Sequence, residues 1–371
     1  MACGEEGPEP AVAGVKPPPP ATVTATATAT VPPPPAEPTL DDRRKAAKAA
    51  YDAGDYAKAM PELEAIVAKE PGDVASQTML GDVYASKGDK RSADAYLAAS
   101  KADGGKDERL ALVACRALLG QRRYDDVIGA AQAGTKSNEK SMALWMYLGL
   151  AQTGKMDFAG ATETYQKLTT AFPDEPELWA DLANAQVGSG KKDEAKKTAK
   201  AALDKWTEVR APKNNKEVKL GKGPDELCAI ARAMRRAGDA NGALGALGKY
   251  TIAKDELSGP LDIEKGFAKH QLKDDKMAYQ TADKVLKLTN NASAPAHLLL
   301  AAVAIDHKKL DVAKAELGAY DMLGGDIPYT FDRKEIQAAF DKGSTAIEMP
   351  KEEKKPEGKK PEGKKAEPKK P

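Results

Sequence analysis

Bulky aromatic side chains are scarce in this chain: Phe, Trp and Tyr make up 5% of its 371 residues. A closed α-domain of that length would need more of them to fill one interior, so the core must be built another way. Histidine and cysteine number three each. His297 and His307 stand too far apart for an i, i+4 metal pair and no cysteine lies near them; they read as solvated or half-buried helical histidines, and no metal is expected. Phosphate-cradling and nucleophile motifs are missing too, with no P-loop, no G-x-S-x-G and no G-x-G-x-x-G. Asp125-Asp126 and Asp274-Asp275 are expected in inter-helix turns, facing water and capping helices, and Asn291-Ala292-Ser293 to shape a turn. No catalytic constellation emerges and no cofactor is implied, so the chain reads as a non-enzyme. Charge of one sign is lacking as well. The net charge is +1, with −3 on residues 1–39 and +4 on residues 351–371, which leaves the body near zero. A neutral body argues against a nucleic-acid-binding surface.

What is present is a period. Ala59, Ala93, Val127, Ala161 and Ala195 fall 34 residues apart. Gly54 and Gly88 keep that step, as do Trp145 and Trp179, while Gly81 and Gly149 are 68 apart. A fixed period of this size marks stacked supersecondary units, and 34 residues is the length of one helix–turn–helix repeat. Small residues at fixed positions let neighbouring helices approach closely. Each hairpin alone buries too little apolar surface, so stability comes from stacking.

The fourth unit reads Trp145, Leu148, Gly149, Phe158, Ala161, Tyr165 and Pro173; the fifth reads Trp179, Leu182, Ala183, Gly190, Ala195, Ala199 and Ala202. The second carries Leu80, Gly81, Tyr84, Gly88, Ala93 and Leu97, and the first Gly54-Asp55-Tyr56, Ala59 and Pro71. These residues resemble the tetratricopeptide repeat family, whose signature is W-x2-L-G followed by small, aromatic and proline positions. The third unit departs most, with Cys115 for a small residue, Val127 for alanine and Glu139 for proline. The resemblance covers residues 40–209 and implies an all-α solenoid.

Beyond it, residues 210–224 are polar and lysine-rich and read as an inserted loop. Ala243, Ala278 and Ala313 then recur at intervals of 35, so residues 225–345 are read as degenerate units, making about eight hairpins, closed by a capping helix. That helix is expected to start at Phe331, with Asp332 as N-cap, Glu335 three residues on, Phe331 stapled to Ile336, and Ile336 and Phe340 facing the last repeat. Cys115 is expected to be a buried structural thiol. Several helix layers separate it from Cys228, too many for a disulfide.

Residues 1–39 hold two PPPP runs around an ATVTATATATV tract and read as an extended, disordered spacer. Residues 346–371 read as a disordered tail that either holds an anionic surface or only solubilises. Met1-Ala2-Cys3-Gly4 before this spacer resembles the lipidated cysteine of bacterial lipoproteins. That resemblance implies lipidation at Cys3 and a tether to the bacterial cell envelope. No charged n-region or apolar h-region precedes Cys3, so export requires a start further upstream. The alternative is a cytoplasmic adaptor whose Pro-rich segment is itself a partner ligand.

The repeat resemblance also implies a site. In that family the first helix of each unit lines a concave groove for an extended or helical polypeptide. By repeat position the groove would take Arg44, Lys48 and Tyr51 from unit one, Asp82 from two and Arg116 from three. Met146 and Leu150 follow from four, Asn184 from five, and Arg232 and Arg235 from six. Chaperone-tail clamps of the family use Lys and Asn on the first repeat, Asn on the second, and Lys and Arg on the third. Here Arg44, Lys48, Met79, Arg109 and Val113 fill those slots, so such a clamp is not expected. The partner is read as an unidentified protein or peptide.

Overall fold

The computed structural model describes residues 37–210, 223–249 and 259–345. Cys3, both proline runs, most of the 210–224 loop and the lysine-rich tail lie outside the described residues. The described residues form helices and turns without strands. Ten helices make five hairpins over Leu40–Arg210: α1 (Leu40–Asp52) with α2 (Tyr56–Lys69), α3 (Val74–Ser86) with α4 (Arg91–Asp103), α5 (Glu108–Gly120) with α6 (Tyr124–Ser137), α7 (Met142–Gly154) with α8 (Phe158–Ala171), and α9 (Pro176–Gly188) with α10 (Lys192–Arg210). Three more follow: α11 (Gly223–Arg236) with α12 (Ala240–Leu247), α13 (Gly259–Gln271) with α14 (Asp275–Leu288), and α15 (Ala294–Asp306) with α16 (Leu310–Met322). A 3-10 turn, Ile327–Tyr329, leads into α17 (Thr330–Thr345).

The hairpin turn explains the period at the level of the backbone. Gly54, Gly88, Arg122, Met156 and Gly190 all have positive φ, and each lies five residues before the small residue at 59, 93, 127, 161 or 195. Gly238, Lys273 and Lys308 repeat the arrangement before Ala243, Ala278 and Ala313. In each turn the next residue donates its N–H to a carbonyl five residues back: Asp55 to Ala50, Asp157 to Gln152, Asp274 to Lys269. That is the Schellman closure, which ends one helix with a left-handed residue and aims the chain into the next. The small residues then meet no solvent; all eight are 0% exposed.

Four of these left-handed turns use a side-chain-bearing residue at a cost of about 1 kcal/mol. Met156→Gly is therefore expected to stabilise the fourth hairpin by about 0.5 kcal/mol, net of the extra unfolded-state entropy of glycine. Slower amide exchange over α7 and α8 would register the gain.

First helices start on capping side chains at the same period. Asp73, Asp107 and Ser141 accept the N–H of Ser76, Leu110 and Leu144. Where helices cross, glycine admits an aromatic ring: a Cβ on Gly81 would sit 2.6 Å from Tyr96, and one on Gly149 would sit 2.7 Å from Tyr165. Trp145 and Trp179 donate their indole N–H to the carbonyls of Glu139 and Pro173, both 2.9 Å away and both six residues back. The unusual Glu139 therefore keeps the backbone bond of the proline it replaces. The core is a succession of alanine-rich clusters, each shared by neighbouring hairpins. This is how a chain poor in aromatics buries a continuous interior.

Some expectations are corrected here. Asp332 is no N-cap: it lies within α17, 4% exposed, with its carboxylate on arginines of α11. Phe331 packs edge-on against Phe158 at 5.9 Å, while Ile336 and Phe340 do pack against the α15–α16 cluster. Asp125 and Asp126 lie in the first turn of α6. Cys115 and Cys228 are buried free thiols, and burial pushes the Cys115 thiol up to about 12.

Candidate peptide-binding wall

The first helices of successive hairpins lie side by side, α5 on α7 and α9 on α11, α13 and α15 in turn. The residues named from repeat position sit on these helices, but their surroundings divide the wall in two.

In the first half the side chains are largely committed to one another or open to water. Arg44 bonds Asp73 and Asp41 at 3.0 Å and also reaches Glu70, linking α1 to the cap of α3. Lys48 is exposed and pairs with Asp52 within its own helix at 2.8 Å. The hydroxyls of Tyr51 and Tyr96 both donate to Asp82, at 2.6 and 2.7 Å. That hydrogen bond, with burial second, pushes the Tyr51 hydroxyl up to about 12. Arg116 is exposed on α5, with no hydrogen bond or ion pair among the described residues. Met146 is half-buried beside the α8–α9 cluster. Leu150 lines a cavity of about 650 Å3.

The second half is filled. Asn184, Arg232 and Arg235, expected to face a groove, are 9%, 9% and 7% exposed. Arg232 and Arg235 lie against the chain's own Tyr329 and Asp332, while Asn184 is tied to α11 through the Ala229 carbonyl and Arg236. Arg235 holds the Asp332 carboxylate through both terminal nitrogens, at 3.0 and 3.1 Å. Arg236 grips the same carboxylate at 2.5 Å, donates to the Pro328 carbonyl, and reaches the Asn184 side-chain oxygen at 3.0 Å. Arg232 bonds Glu264 at 2.7 Å and lies over the Tyr329 ring, whose hydroxyl donates to the same Glu264 oxygen at 2.6 Å. Tyr329 in turn stacks on Phe267 at 5.7 Å. The short turn Ile327–Tyr329 also touches α7. Residues 327–332 thus meet first helices from α7 to α13.

Burial alone would raise the Asp332 carboxyl, but the Arg235 and Arg236 guanidiniums outweigh it and hold the group well below the usual carboxylate range. Burial, then Glu264, drives the Tyr329 hydroxyl well above its ordinary value. Arg236, Glu264, Tyr329 and Asp332 were all missed by repeat position. The one sequence signal was Arg232, Arg235 and Arg236 on an otherwise apolar helix, LCAIARAMRR, whose charges demand buried partners.

Asp181, beside the same cavity, has its carboxyl pushed up to about 7 by burial and by Glu177, with Arg232 opposing. An acid whose folded pKa is raised above about 3.9 has its full stability below that pH and loses stability up to pH 7, since the unfolded chain ionises first. Three pH units are worth about 4 kcal/mol for an enclosed group, and solvent at the half-buried Asp181 screens part of that, so Asp181→Asn is expected to gain about 2 kcal/mol over wild type at pH 8 and nothing at pH 4, read from urea midpoints.

A second grouping lies at the ends of α13 and α15. His270, Asp275 and Asp306 bring possible ligand atoms within 4.8 Å of one another. Each is already engaged: Asp275 with His270 at 2.7 Å and His307 at 3.1 Å, Asp306 with Lys273 at 2.8 Å. Lys273 already occupies the Asp306 carboxylate, the second of the two acids, so the group is satisfied within the chain. His297 is also tied down, between Glu316 at 2.6 Å and the Asn291 carbonyl at 3.1 Å.

Two family models described as tetratricopeptide repeat match the chain, one at residues 50–114 and 154–205, the other at residues 112–176. No curated protein matches. Similar solved structures include MamA protein, 20% identical, over 48% of this chain and 97% of that one, with a TM-score of 0.38. A tetratricopeptide repeat protein from Parabacteroides merdae ATCC 43184 is 15% identical over 67% of this chain and 92% of its own, with a TM-score of 0.46. The APC/C hetero-tetramer Cut9-Hcn1 is 12% identical, over 80% of this chain and 55% of that one, with a TM-score of 0.45.

Proposed function

Because residues 50–205 belong to the tetratricopeptide repeat family, whose members bind other proteins or peptides, we propose that this protein is a non-catalytic scaffold that holds a polypeptide along its wall of first helices. The supporting observation is on units three and four. Arg116 is exposed and unpaired among the described residues, and Leu112 and Leu119 share its helix face as half-buried apolar neighbours. Met146 and Leu150 continue that strip on the adjacent α7. An apolar strip with one free cation suits a peptide bearing apolar anchors and a carboxylate. Peptides selected from a random display library on the full chain should lose roughly tenfold or more in affinity with Arg116→Glu. Peptides indifferent to that change would refute the placement.

The scaffold is further proposed to work at the bacterial cell envelope, tethered by a lipid on Cys3 with residues 1–39 as the spacer. The sequence around Cys3 supports this, because a Pro-rich stretch of that length serves a purpose when one end is anchored. An in-frame apolar segment in the DNA upstream of Met1 is the expected finding. A stop codon directly upstream would favour the cytoplasmic adaptor with a Pro-rich ligand segment.

A further inference from the structure

The filled half of the wall is chemically specific. Three guanidiniums, those of Arg232, Arg235 and Arg236, face two carboxylates, Glu264 from the wall and Asp332 from the segment. Without Asp332 the three guanidiniums would keep Glu264 as their one ion-pair partner among the described residues, a costly state in a low dielectric. With it, two carboxylates pair with three guanidiniums. The fit is also incomplete. Arg235 Nε and Glu264 Oε2 are buried without a hydrogen-bond partner, on side chains 9% and 0% exposed. Cavities of about 650 and 360 Å3 flank the segment, the first against Leu150, Pro328 and Tyr329, the second against Phe267, Arg235 and Asp332. Both unpaired atoms belong to the wall rather than to the segment, and the clefts leave room beside it, so the segment does not exhaust the contacts that the wall offers. It joins α16 through Gly324 and Gly325, both at positive φ, a connection that can re-aim the chain.

We propose that residues 329–332, Tyr-Thr-Phe-Asp, are a resident ligand of the protein's own wall, and that the arginine pocket of α11 recognises a partner segment of the same chemistry, an aromatic residue followed within three positions by a carboxylate. Such a segment would bring its ring onto Phe267 and Arg232 and its carboxylate onto Arg235 and Arg236. A longer partner could also fill the two cavities and offer a donor to Glu264 Oε2. Residues 327–332 then act as an internal competitor that sets the threshold for capture. This rests on the scaffold reading and names the ligand class for its second half.

A fluorescent peptide of residues 325–334 is the probe, titrated into the full chain by anisotropy. Asp332→Ala weakens the internal competitor and should bind the peptide roughly tenfold or more tighter than wild type. Adding Arg235→Ala to that variant should abolish binding, as should alanine for the peptide's own aspartate at position 332. Tyr329→Ala, which keeps the charges paired, is the second opening variant should Asp332→Ala fold poorly, and should bind more tightly than wild type. Equal affinity of wild type and a folded opening variant, or binding that survives Arg235→Ala, would overturn the proposal. Peptides that depend on Arg116 would still bind in that event, which separates this failure from failure of the scaffold itself.

Discussion

Replacing Glu264 with alanine is expected to destabilise the α11–α17 half by about 3–5 kcal/mol, the usual loss when one partner of a buried ion pair is removed. The carboxylate is wholly enclosed, and a single oxygen accepts from both Arg232 and the Tyr329 hydroxyl. Alanine would leave Arg232 buried against Tyr329 without its ion-pair partner. Glu264→Gln keeps the shape and the acceptor but loses the charge, so an intermediate loss of about 1–2 kcal/mol is expected. Because stacked repeats couple chiefly to their neighbours, exchange protection should fall in α11, α13 and α17 and hold in α1 to α6. Unchanged protection in α11 would show that the arginine cluster contributes little.

Gly149→Leu should cost about 3 kcal/mol, near the upper end for overpacking. Its Cβ alone would lie 2.7 Å from the Tyr165 ring, which is 2% exposed and cannot swing aside without opening the α7–α8–α9 junction. Tyr165→Ala should itself be destabilising, by about 3–5 kcal/mol, but the pair of changes should cost less than their sum. A coupling of at least about 1 kcal/mol in a double-mutant cycle is the expected signature of direct contact. Additive losses would mean that glycine and ring do not meet.

The legible part of this protein was the part that repeats. The buried small residues at 59, 93, 127, 161 and 195 announced themselves by spacing, and the 35-residue step of Ala243, Ala278 and Ala313 extended the pattern where signature residues had faded. The left-handed turns at Arg122, Met156, Lys273 and Lys308 were not legible, because the Schellman closure imposes φ > 0 there without glycine. Nor was the occupant of the wall. Asp332 with Glu335 and the Phe331–Ile336 pair spells a capping box and staple, yet Arg235 and Arg236 claim the aspartate from about a hundred residues away. Local rules cannot weigh a contact of that sequence separation. Repeat position did place Arg232, Arg235 and Asn184 on the wall. It could not tell a filled stretch from an open one.

The wall as the place where a polypeptide is held can be tested by photo-crosslinking. A benzoylphenylalanine residue at position 116, on first helix α5, should join to a display-selected peptide, and the same group at exposed position 136, on second helix α6, should not. Crosslinks from 136 with none from 116 would contradict the account.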